Sequence, residues 1–147
     1  MADYATTADL ANLGVANEAL ADIPDEKQQA VIAARSRFAD GYLSVRYTIP
    51  AGGFVAFTGD LTWAVAQLSC YDLVSNLGYT TDKGNQDNLR KRHDDAIKWL
   101  ELVRDGDLGL GGITAGDGGG DVVAGAPVVA SDHQRGWVRG RHSHHGL

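Results

Sequence analysis

The alternation of hydrophobic and polar positions divides the chain into helical stretches up to about Leu110 and a different kind of sequence beyond it. From Pro24 to about Tyr47, Val31, Ala34, Phe38, Tyr42 and Val45 recur at spacings of three and four, which puts them on one face of a helix. Pro24 suits the first turn of that helix, where its missing N–H costs nothing. Asp25 and Glu26 complement the positive end of the helix dipole. Gly41 weakens the run by roughly 1 kcal/mol against alanine and marks a position for a close helix contact. Ile49-Pro50-Ala51-Gly52-Gly53 then breaks the chain, since proline and paired glycines do not continue a helix.

The next helix begins with Asp60 as its cap and runs to Leu77, with Gly78 as the stop. It is apolar nearly all round, with Thr62, Ser69, Asp72 and Asn76 as a narrow polar stripe, and this predicts the central, most buried element. Gln67, Asp72 and Asn76 make it a core helix, not a membrane span. A last helix runs from near Asn85 to just before Gly106, with Leu89, Ala96, Leu100 and Val103 as its core stripe and Ile97 and Trp99 broadening it. Asp94 and Lys98 form an i, i+4 pair worth a few tenths of a kcal/mol. Ahead of these lie a short helix capped by Thr7 and ended at Gly14, and a helical turn over Ala16 to Ala21. The expected fold is all-α, a small bundle of about four helices carrying a long, extended, Gly-rich C-terminal arm.

Composition sets that arm apart. Nine of the 20 residues from Gly106 to Gly125 are glycine, which predicts a flexible linker. The expected organisation is a helical domain over 1–110, a linker over 111–126 and a docking arm over 127–147. The arm opens on the β-prone Pro127-Val128-Val129-Ala130. No internal repeat is present.

Charge changes the functional picture. The net charge of −6 belongs wholly to the body, because acidic and basic residues balance after residue 110. From His133 onward there are three arginines, four histidines and no carboxylate side chain. An acidic body does not bind a nucleic-acid backbone by charge, whereas a short basic tail suits an acidic protein surface. The single cysteine, Cys70, sits in an apolar run and reads as a small buried hydrophobe. The first residues form neither the basic nor the apolar region of a signal peptide, so synthesis and assembly in the cytoplasm are expected.

Each candidate chemical site has a simpler reading. His142, His144 and His145 cluster like metal ligands, but no carboxylate or thiolate nearby completes a closed site. His93 precedes Asp94 and Asp95, yet adjacent helical residues do not face each other, so a solvated charged face is expected. The Gly-rich stretch lacks the Lys-Ser/Thr of a phosphate-binding loop and opens no helix. Arg90-Lys91-Arg92, flanked by Asp87, Asp94 and Asp95, reads as one charged helix face or as a contact to an acidic subunit. The expectation is therefore a non-enzymatic chain with no cofactor and no metal site. Trp137 between Arg135 and Arg139 lacks apolar neighbours to bury it, and Trp and Arg are frequent interface anchors.

Four stretches carry a family resemblance: Tyr4 to Leu10, Gly41 to Pro50, the apolar helix from Leu61, and Arg92 to Leu100 followed by Gly106 and Leu108-Gly-Leu110. Together they resemble the small head-to-tail connector (adaptor or head-completion) proteins of tailed bacteriophages and Mu-like prophages. Tyr42, Leu43, Arg46, Tyr47 and Pro50 match that family's Tyr-Leu-x-x-Arg-Tyr-x-x-Pro segment position by position. The resemblance implies a virion protein of the neck region, a ring of typically a dozen copies beneath the portal protein. Such a ring extends the channel through which genomic DNA passes and offers a platform to a downstream neck or tail-completion protein. Arg135, Trp137, Arg139 and Arg141 occupy the place of the family's basic, aromatic tail, loosely matched, and with Arg46 and Tyr47 are the expected contacts to portal or neighbouring subunits. An acidic body repeated around a ring would repel DNA from its wall. The alternative reading is a small helical nucleic-acid-binding regulator using Arg90, Lys91, Arg92 and the basic tail, against which the net charge of −6 speaks.

Overall fold

The computed structural model describes residues 2–76, 83–111 and 113, and among these the fold is all-helical. Residues 114–147, the expected arm and most of the linker, lie outside the described residues. Three long helices form the body: α3 (Asp25–Leu43), α4 (Gly59–Asn76) and α5 (Lys83–Asp105). Two short elements precede them, α1 (Thr7–Asp9) and α2 (Asn17–Leu20). Among the described residues no helix is long and apolar enough to cross a membrane.

The N-terminal cap of α1 is Thr6, one residue earlier than the spacing predicts. Thr6 and Asp9 form a reciprocal capping box: the Asp9 carboxylate accepts from Thr6 N at 2.7 Å, and Thr6 Oγ1 accepts from Asp9 N at 3.3 Å. The chain continues without a break into a wider π-helical turn over Leu10–Gly14, closed by Val15 N donating to Leu10 O at 3.0 Å. That turn packs on α4 through the fully buried Leu10.

The largest departure from expectation is on α3. Its buried line is Gln28, Ile32, Ser36, Ala39 and Leu43, continued past the helix end by Tyr47. The expected stripe lies roughly one residue, about 100°, away. Of that stripe Val31, Phe38 and Tyr42 pack only at the edge of the core, Ala34 is exposed, and Val45 is 65% exposed beyond the helix end. Two of the buried positions are polar, which disguises the line in a hydrophobic pattern, and each has a partner. Gln28 Nε2 donates to Ile23 O at 2.9 Å, tying α2 to α3. Ser36 Oγ accepts from Tyr4 N at 3.0 Å, tying down the start of the chain. Pro24 sits at the cap position just before the helix. Gly41 is exposed with nothing near the place its Cβ would take, so it marks no close contact.

The expectation for α4 holds: Leu61, Ala64, Val65, Ala66, Leu68 and Leu73 are buried, and the helix touches α3, α5 and the N-terminal turn. Asp60 lies inside its first turn, not at its cap. Two residues of the polar stripe are used internally. Ser69 Oγ donates to Val65 O at 2.7 Å, and Asp72 takes a two-pronged ion pair from Arg35 of α3, with Nη2 at 2.6 Å from Oδ1. On α5, Leu89, Ala96, Leu100 and Val103 are buried as the spacing predicts.

Candidate functional site

The segment after α3 joins the two ends of the body. Arg46 is half-buried, and its Nη1 donates to Val103 O at 3.5 Å, near the carbonyl end of α5. Gly106 ends α5 with φ +94, a conformation that favours glycine, and a Cβ there would lie 2.7 Å from Arg46 Nη1 and push the guanidinium aside. Gly106 N and Asp107 N both donate to Leu102 O, at 3.0 and 2.9 Å. Tyr47 is 4% exposed, and its hydroxyl accepts from Leu110 N at 3.0 Å. Arg46 and Tyr47, expected as contacts to other subunits, thus hold the exit of the chain from the bundle. Within one chain Tyr47 has little surface to offer, while Arg46 is only half-buried.

Tyr4 closes the opposite side of the same node. Its hydroxyl donates to Asp40 Oδ1 at 2.5 Å and accepts from Phe54 N at 3.5 Å. Phe57 meets its ring edge-on at 5.2 Å, and Phe54 stands at 90° to Tyr47. Burial, then the bond to Asp40, holds the Tyr4 phenol well above its ordinary range. Ala2 N donates to Gly52 O at 2.7 Å, which fastens the break over 49–53 to the chain start. The sequence pattern shows each piece but not that they meet.

Other candidates take up internal roles. Cys70 is buried and unpaired, its Sγ donating to Leu10 O at 3.6 Å, and burial pushes the thiol up to about 12. A thiol held protonated is not a nucleophile. His93 corrects the expectation of a purely solvated face: its ring packs on Tyr71 at 4.3 Å, and Asp94 Oδ1 reaches Nδ1 at 3.2 Å. Arg92 leaves the expected charged face as well, donating to Gly14 O at 3.1 Å. Among the described residues no group of three or more His, Cys, Asp or Glu side chains is placed to hold a metal ion. The cluster of His142, His144 and His145 and the residues Arg135, Trp137, Arg139 and Arg141 lie outside the described residues.

What remains on the surface is a row of aromatic and basic side chains and a few apolar ones. Arg35 lies over the Phe38 ring, Phe38 meets Tyr42, and Arg104 lies over Tyr42, a half-exposed ladder along α3 and the end of α5. Leu13, Val45, Val55 and Leu108 are exposed apolar side chains, Val55 at 94%. Two shallow clefts flank the N-terminal elements.

A family model described as Bacteriophage Mu, Gp36 matches residues 1–120. The chain belongs to this family. No curated protein matches it. The match to the bacteriophage Mu Gp36 family takes in the whole described bundle and bears out the resemblance to Mu-like phage proteins. The Trp- and Arg-containing end of the chain lies beyond the matched residues.

Proposed function

We propose that this bacteriophage protein is a structural subunit of the virion neck, a head-to-tail connector that forms a ring under the portal protein. The match of residues 1–120 to the Mu Gp36 family carries this reading. The surface supports it. Tyr and Arg side chains, the types most enriched at interface centres, stand half-exposed along α3 and α5. The chain's own polar groups go into fastening its start and its exit from the bundle at Leu110, as a subunit that bears load needs. In this reading the partners are the portal protein, neighbouring copies around the ring and a downstream neck or tail-completion protein, with genomic DNA passing through the channel unread.

Native mass spectrometry of the full chain, alone and mixed with the portal protein of the same phage, tests it. Many copies bound per portal assembly are expected. A chain that ignores the portal at every salt concentration overturns the proposal, and salt-dependent binding to duplex DNA in its place would establish the regulator reading.

A further inference from the structure

A cleft of about 330 Å³ lies between α1 with its π-helical turn, α2 and the start of α3. Its walls combine Ala8, Ala11, Leu20, Ala21 and Ile23 with the polar Thr7, Asn17, Asp25 and Gln28. The volume is at the small end of what holds a compact ligand, so it suits one large side chain. Its surroundings are unusually acidic. Residues 2–34 contain six carboxylate side chains and a single cation, Lys27. Asp25 lines the cleft and is exposed, and Glu18 and Glu26, next in sequence to the lining residues Asn17 and Asp25, are exposed as well.

The same chain carries the complement. From His133 to its end it has Arg135, Arg139 and Arg141 around Trp137, with no carboxylate side chain. The stretch from Ile113 to Arg135 can span up to roughly 70 Å when extended. A domain of this size has a radius of gyration of about 13 Å, so the tail can reach any point of its own body. Tethering makes docking intramolecular, which favours the chain's own tail over that of another copy at ordinary protein concentrations.

We infer that the cleft between α1, α2 and α3 is the docking site of the chain's own C-terminal segment, Trp137 entering it and the flanking arginines meeting Glu18, Asp25 and Glu26. Docking covers a mixed, acidic surface of the free subunit and leaves the tail available to be exchanged for a stronger partner. This inference stands apart from the connector reading, since it concerns the chain alone.

Disulfide trapping in the full-length chain tests it. Ala21 is exposed and lines the cleft, so Ala21→Cys is paired with Val138→Cys, which leaves Trp137 in place. Cys70 is buried and does not compete. Under mild oxidation a monomer carrying the 21–138 disulfide is expected. A control pair of Lys98→Cys with Val138→Cys, away from the cleft, should close about tenfold more slowly, that is with a docking preference of about 1.4 kcal/mol. Adding Trp137→Ala, or Glu18→Lys with Asp25→Lys, should bring the first pair down to the control rate. These changes fall on exposed or tail positions, and circular dichroism checks that the helices persist. Equal rates for the two pairs overturn the inference. So do disulfide-linked dimers in place of monomers, which would put the tail on a second copy.

Discussion

At the scale of single residues, the described glycine with least room for a side chain is Gly14. A Cβ there would lie 2.1 Å from Sγ of the buried Cys70, so something must shift. Gly14→Ala is therefore expected to cost about 1–3 kcal/mol in urea unfolding. Adding Cys70→Ala should recover part of that loss, with a coupling of at least about 0.5 kcal/mol. Additive losses would show that the crowding lies elsewhere. The buried thiol and phenol also make stability depend on alkaline pH. Cys70 is pushed up to about 12 from its ordinary 9.0, and Tyr4 is raised above its ordinary 10.0. Both groups hold their protons in the folded chain where the unfolded chain releases them, so the folded state binds more protons. Their contribution is complete below the unfolded values and fades as pH rises through the folded ones. Urea midpoints should fall between about pH 9 and about pH 11. The fall should be shallower in Cys70→Ala and in Tyr4→Phe, and an identical slope in all three proteins would refute the assignment.

At the scale of elements, α3 decides how much of its sequence pattern is structure. Leu43 is fully buried, while Val45, two residues on and equally apolar by type, is 65% exposed. Leu43→Ala is expected to cost about 2–5 kcal/mol, whereas Val45→Lys should change stability by no more than about 0.5 kcal/mol. Thermal or chemical melts of the two variants separate the observed face from the one the apolar spacing predicts, which would make Val45 a core residue. The reason for the shift is the polar content of the buried line. Gln28 and Ser36 are inside because Ile23 O needs a donor and Tyr4 N needs an acceptor, and those needs arise only when α2 and the chain start fold against α3. On α5 the described buried side chains are all apolar, and the spacing identifies Leu89, Ala96, Leu100 and Val103 correctly, whereas α4, apolar nearly all round, also takes Gln67 and Ser69 into the core.

At the scale of the whole molecule, charge is segregated along the chain: acidic at the first two short elements, mixed along the long helices, basic at the C-terminal end. A body of net charge −6 repels other copies of itself at long range, and that repulsion weakens as salt is added. Ring formation, if the connector reading holds, must draw on short-range contacts such as the Arg–aromatic ladder of α3 and α5. Assembly on the portal should accordingly strengthen or hold steady between low and physiological salt in the native mass spectra, whereas DNA binding would weaken. The family match supports a phage protein of this kind through the bundle as a whole, not through any single reactive group.

The sequence by itself determined the all-helical class, the three long helices, the break over 49–53, the buried centre at α4 and the family. All of these rest on local periodicity, on proline and glycine punctuation, or on short motifs that are written in the chain directly. Only the tertiary structure decided what the polar residues do. Arg46 and Tyr47 hold the exit of α5, Arg92 reaches Gly14, and Tyr4 ties Ser36, Asp40 and Phe54 together across up to 50 positions of sequence. A hydrogen bond or ion pair between distant residues leaves no periodic trace, because its partners are selected by packing geometry and by the cost of burying an unpaired polar group.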